Sequence, residues 1–104
     1  MDIRTMRSFI AIVQTGSITH AAEELHISQP ALSRQVIELE RELSCSLLDR
    51  GGRSATPTPE GRLLYNRARE LVDLLEKTEA EIRHPDLARA RCAYRAARRP
   101  RPCP

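Results

Sequence analysis

Two helix-start signals lying close together constrain this chain more than any other feature. Gly16-Ser17 and Ser28-Gln29-Pro30 bracket a stretch with room for roughly two turns of helix. Gly16 takes the left-handed backbone that ends a helix without steric cost, and Ser17 then accepts a backbone N–H of the next helix. After His26 and Ile27, Ser28 is a second N-cap, and Pro30 sits in a first turn, where its missing N–H breaks no helical bond. The pattern predicts one helix ending, a short second helix over about Ile18 to Leu25, and a third beginning at Gln29 after a tight turn.

The flanking periodicity supplies the rest of a small core. Ile3, Met6, Phe9, Ile10 and Val13 recur at helical spacing and predict a first helix from Ile3 to Gln14. Ala21-Ala22 lets another helix approach the second one closely. Along the third helix, Gln29 to Leu43, the stripe Leu32, Val36, Leu39 and Leu43 is expected to be buried, leaving Gln29, Ser33, Arg34 and Ile37 on a different face. Two short helices joined by a tight turn, the second exposing hydrogen-bonding side chains near its start, form the helix-turn-helix layout that enters a major groove.

Leu47 and Leu48 open an extended stretch that turns at Gly51-Gly52 and returns through Ser54 to Thr56, a short two-stranded wing flanked by Arg50 and Arg53. Pro57 cannot donate a ladder bond, so the ribbon must be short or open there. Thr58 caps a fourth helix with Pro59 in its first position and Glu60 against its positive end. Leu64, Ala68, Leu71, Leu75, Thr78 and Ile82 then step four, three, four, three, four, a coiled-coil seam that needs a partner helix. Leu63, Val72 and Leu74 lie off the seam and are available to pack on the small domain; Pro85 ends the helix. The expected fold is therefore mainly α: a winged helix-turn-helix at 1–58, with a three-helix core and a two-stranded wing, then a linker and dimerisation helix at 59–83.

From His84 the composition turns to Arg, Ala, Pro and Cys, which predicts disorder over 84–104; its bias is like that of a GC-rich gene read in a shifted frame. This tail also explains the overall charge. The whole chain is formally +3, but residues 1–83 carry 11 basic against 13 acidic side chains, a net −2, while the last 21 residues carry 6 against 1, a net +5. Bulk charge is thus no argument for nucleic-acid binding by the main domain, and the case rests on where particular arginines sit. With 3% aromatic residues and no Trp, a stacking platform for single strands is poorly supported, whereas duplex DNA fits.

Gln29 has the chemistry to pair with an adenine edge or a phosphate, and Arg34 to take guanine O6 and N7 together. Ser28 and the first N–H groups of the third helix can hold a phosphate, and Arg53 can reach a minor groove or a backbone phosphate. Periodicity and polarity alone also leave open an ordinary capped, solvated helix, the lesser of the two readings. His20, His26 and His84 have no ligand spacing, and Cys45, Cys92 and Cys103 form neither an even set nor a C-x-x-C pair, so no metal, disulfide or cofactor is expected and a reducing cytoplasm fits. Glu23, Glu24, Glu38, Glu40 and Glu42 are expected on exposed helix faces with no pocket, so no enzyme is expected. No segment has the length of a membrane span or the flanks of a signal peptide.

Gly16-Ser17 before Ala21-Ala22, then Leu25 through Gln35, Leu39-Glu40, Glu42-Leu43, Leu47 through Arg50, Gly52-Arg53 and Thr58 through Gly61 together resemble the DNA-binding domain of LysR-type bacterial transcriptional regulators, over most of residues 1–82. The resemblance implies a helix-turn-helix at about Ile18 to Ile37, base or phosphate contacts by Gln29, Pro30, Ser33, Arg34 and wing Arg53, and a homodimer through the fourth helix that reads paired operator half-sites at the nucleoid. It also implies a larger C-terminal domain for a small-molecule inducer, which this chain is expected to lack, so no inducer is expected to bind it. Four positions depart from the usual pattern: Ile37 replaces a frequent basic residue, Ser44 a glycine, Leu48 a Phe and Pro57 an aliphatic residue. Ser44 and Pro57 bear on the geometry of the wing; Ile37 removes a phosphate contact and lowers the salt slope by about one unit. Alternatives to a DNA reader are an interaction module that pairs with a full-length relative, and a gene remnant with no selected role.

Overall fold

The computed structural model describes residues 1–49 and 54–84. In chain order the elements are α1 (Ile3–Thr15), α2 (Ile18–Leu25), α3 (Gln29–Leu43), β1 (Leu48–Asp49), β2 (Thr56–Pro57) and α4 (Pro59–Arg83). The strands pair antiparallel, Leu48 opposite Pro57 and Asp49 opposite Thr56. The expected winged helix-turn-helix, with its long following helix, is the fold observed.

Each boundary has a local cause. Asp2 caps α1 by accepting the Thr5 amide at 2.8 Å and the Thr5 hydroxyl at 2.9 Å. Gly16 closes α1 at φ 71° while its amide donates to Ile12 O at 2.8 Å. Ser17 and Ser28 accept the amides of His20 and Ala31, as their positions predict. Among the described residues two that are not glycine also turn left-handed, His26 at φ 57° after α2 and Ser44 at φ 56° after α3. Ser44 therefore performs the turn for which glycine is better suited.

The core of the first compact unit, Met1–Val72, joins Phe9 and Ile12 of α1, Ala21 and Ala22 of α2, and Leu32, Val36 and Leu39 of α3 to Leu47, Leu48 and Ala55 from the wing. Leu43 is not part of it. That residue was expected in the buried stripe but is 41% exposed, because Leu47 and Leu48 complete the cluster beyond Leu39 after the chain reverses at Ser44.

The wing strands are short because Pro57 offers no N–H, and the next amide, Thr58, takes up the link by donating to Leu47 O at 3.0 Å. Thr58 Oγ1 donates to Ser46 O at 2.6 Å and accepts the Gly61 amide at 3.0 Å, so α4 is capped and tied to the wing by one residue. These bonds set which face of α4 meets the core. Leu64 and Tyr65 pack against it, and the Gln14 amide donates to the Tyr65 hydroxyl at 3.4 Å. Leu63, placed off the seam and free to pack on the domain, is instead 59% exposed.

The second unit begins at Asp73, and its described part is the remainder of α4. Lys77 pairs with Asp73 at 3.0 Å and Arg83 with Glu79 at 3.7 Å, exposed i,i+4 contacts of the kind worth a few tenths of a kcal/mol. His84 was expected to open the disordered tail, yet its amide still donates to Ala80 O at 3.1 Å. The rest of that tail lies outside the described residues.

Candidate nucleic-acid interface

The exposed face of α3 is defined by what the opposite face buries. Leu32, Val36 and Leu39 are sealed in the core, so Pro30, Arg34, Ile37 and Arg41, spaced four, three and four, point away from it. Gln29 is exposed and Ser33 half-buried on the flank of this stripe. Among the described residues Arg34 has no ion-pair partner, which leaves its guanidinium donors available to an external acceptor. At the start of the helix Ser28 Oγ already accepts the Ala31 amide at 3.2 Å and Pro30 has no N–H. The Gln29 amide is the donor left for a phosphate there, together with the Ser28 hydroxyl hydrogen.

The helix that bears this face is packed on its neighbours. Ala21 and Ala22 of α2 are buried in the same core as Leu32, Val36 and Leu39 of α3, and the wing returns beside the α1–α2 corner, where the Ala55 amide donates to Gly16 O at 3.0 Å. The expected wing contact, Arg53, and its neighbour Arg50 lie outside the described residues. The described base of the wing is held by a glutamate of α3. Glu40 was expected on a solvated face, but it is half-buried and its Oε2 accepts the Leu47 amide at 2.7 Å, with the Leu48 amide and Ser46 hydroxyl each at 3.4 Å. Nothing in the local pattern distinguishes Glu40 from Glu38 and Glu42; only the return of the chain seven residues later brings those donors to it.

The seam residues are placed unevenly. Ala68 is fully buried and Leu64 is packed on the core, both within the single chain. Leu71, Thr78 and Ile82 are exposed and Leu75 half-buried, and the Thr78 hydroxyl donates to Leu74 O at 2.7 Å. Among the described residues, no helix is long and apolar enough to cross a membrane.

Residues 3–62 match the model of the bacterial regulatory helix-turn-helix proteins of the lysR family. The chain belongs to the LysR family. Its curated relatives include the nitrogen assimilation regulatory protein nac of Escherichia coli K12, 46% identical over 82 residues, and BenM of Acinetobacter baylyi, named an HTH-type transcriptional regulator, 44% identical over 77. The matched region is 79% of this LysR-family chain but 27% of nac, so the chain spans about a quarter of the length of such relatives. The crystal structure of the BenM_DBD/catB site 1 DNA complex superposes with a TM-score of 0.79 at 40% identity, covering 81% of this chain and 93% of the other. The CbnR_DBD-DNA complex gives 0.78 at 32% identity, covering 83% and 99%. The relatives matched are thus transcriptional regulators, and these solved structures hold the same fold on DNA.

Proposed function

We propose that this chain binds double-stranded DNA sequence-specifically as a cytoplasmic, nucleoid-associated regulator of transcription. In this reading α3 lies in the major groove, and two copies pair through α4 so that the dimer reads two half-sites. The observation that carries the reading is the exposed stripe of α3, with an Arg34 that pairs with none of the described residues and with Gln29 and Ser33 beside it, on a helix whose other face is buried in the core. Arg34 donates to guanine O6 and N7; Gln29 and Ser33 contact base edges or phosphates; Ser28, Pro30 and the Gln29 amide set the register on the backbone. Arg53 supplies the wing contact. Residues 1–58 do the reading and residues 59–83 the pairing, for which Leu71, Leu75, Thr78 and Ile82 are the surface left after Leu64 and Ala68 are used within the chain. No catalysis and no inducer response are assigned to it.

Fluorescence anisotropy against duplexes recovered from a random library tests the reading, with unrelated duplex as competitor. Arg34→Ala is expected to weaken the preferred site by about 1–3 kcal/mol while leaving binding to unrelated duplex nearly unchanged. Equal binding of every duplex by wild type and variant would refute base reading by α3.

A further inference from the structure

Ile37 stands out on the interface stripe. It is 43% exposed, lies three residues from Arg34 and four from Arg41, and takes no part in the core. An isolated exposed isoleucine is ordinary on a protein surface. This one sits between Arg34 and Arg41, on the side of α3 turned away from the buried Leu32, Val36 and Leu39, where a long charged side chain would be both more soluble and a better helix former. In a major groove the hydrogen-bonding edges of the bases offer it nothing; the apolar group displayed there is the C5-methyl of thymine.

We propose that Ile37 is a specificity-determining residue that selects thymine by packing on its C5-methyl. The proposal rests on the reading of α3 as the groove-entering helix. Ile37 is about 4.5 Å further along the helix than Arg34, roughly one base-pair step, so the thymine lies about one or two base pairs from the guanine that Arg34 takes. The pair of residues then reads a polar and an apolar feature on neighbouring steps. Because the contact is uncharged, it adds discrimination without adding to the salt dependence of binding.

The test replaces each thymine of the preferred duplex, one at a time, by deoxyuridine, which lacks only that methyl, and measures binding of the full chain by anisotropy. At one position wild type is expected to lose about three- to five-fold, as removal of one buried methyl would give. Ile37→Ala should bind thymine and deoxyuridine equally at that position, with an unchanged salt slope and an unchanged circular dichroism spectrum. Ile37→Lys should also lose the methyl preference, while binding all duplexes more tightly and steepening the salt slope by about one unit. If wild type is indifferent to the methyl at every thymine, or Ile37→Ala keeps the preference, the assignment is overturned. Arg34→Ala separates the two levels: a loss of site preference there, with methyl indifference in wild type, overturns Ile37 alone, whereas no effect of Arg34→Ala overturns the groove reading beneath it.

Discussion

Two glycines matter here for opposite reasons. Gly16 needs its freedom of backbone: φ is 71° and a Cβ would meet nothing within 4 Å. Gly61 needs its lack of a side chain, since a Cβ would collide with the Leu47 carbonyl oxygen and press on Pro57, neither of which can swing aside. Gly61→Ala is accordingly expected to cost about 1–3 kcal/mol through overpacking, and to loosen the wing from α4. Gly16→Ala should cost about 1–2 kcal/mol through left-handed strain, with the wing unaffected. Urea unfolding of both variants, with amide exchange at Leu47 and Thr58 as the reporter of the wing, distinguishes the two mechanisms. A Gly61→Ala protein with wild-type stability and protection at those amides would contradict the close approach.

At the level of elements, α1 is pinned at its start by charge. The Thr5 amide and hydroxyl hold the Asp2 carboxyl below the usual carboxylate range. A carboxyl whose pKa is lowered on folding stabilises the fold above its ordinary pKa, and that contribution is lost as pH falls through the lowered value. The Met1 ammonium is shifted the other way, upward, by its hydrogen bond to Glu42 at 2.7 Å. Its contribution is present below its ordinary pKa and is lost as pH rises through the raised value. Asp2→Asn still caps the helix, so it should flatten the acid limb of a stability–pH curve and change the alkaline limb far less, since Glu42 is the main cause of the Met1 shift and Asp2 a minor one, as read by urea midpoints across pH. Leu71 is one of the exposed apolar residues of α4, and on the proposed reading it faces the second copy. Leu71→Glu is expected to shift sedimentation from dimer to monomer and to reduce affinity for a two-half-site duplex far more than for a single half-site. A variant that remains dimeric would place the pairing surface elsewhere.

At the level of the whole molecule, residues 1–83 are net negative and approach DNA without help from bulk charge, while the last 21 residues carry a net +5. On the proposed reading, attraction to any duplex belongs to the tail and discrimination to α3. A chain ending at Arg83 is expected to lose affinity for unrelated duplex and to show a shallower salt dependence, yet to keep the ratio between preferred and unrelated sites. Anisotropy titrations over a range of salt measure both quantities. Loss of the ratio with the tail would mean that the tail, not α3, selects the site.

Much of the fold follows from residues that act on their immediate neighbours. Asp, Ser and Thr caps, Gly16 at a helix end, Pro30 and Pro59 in first turns and an apolar stripe every three or four residues are satisfied within a few positions of themselves. The bounds of α2 and α3, the wing and the start of α4 could therefore be read directly, and so could the polar face bearing Gln29, Ser33 and Arg34. The Asp2 cap of α1 obeys the same local rule. Tertiary structure decided the rest. Glu40 turned inward, Leu43 outward, Leu64 and Ala68 into their own chain, and Gly61 became a point of contact, because each depends on a partner that the folded chain brings back from elsewhere. A helical period shows that a face is apolar. What covers that face is settled only when capping and packing fix the rotation of the helix, as Thr58, Ser46 and Leu47 do for α4.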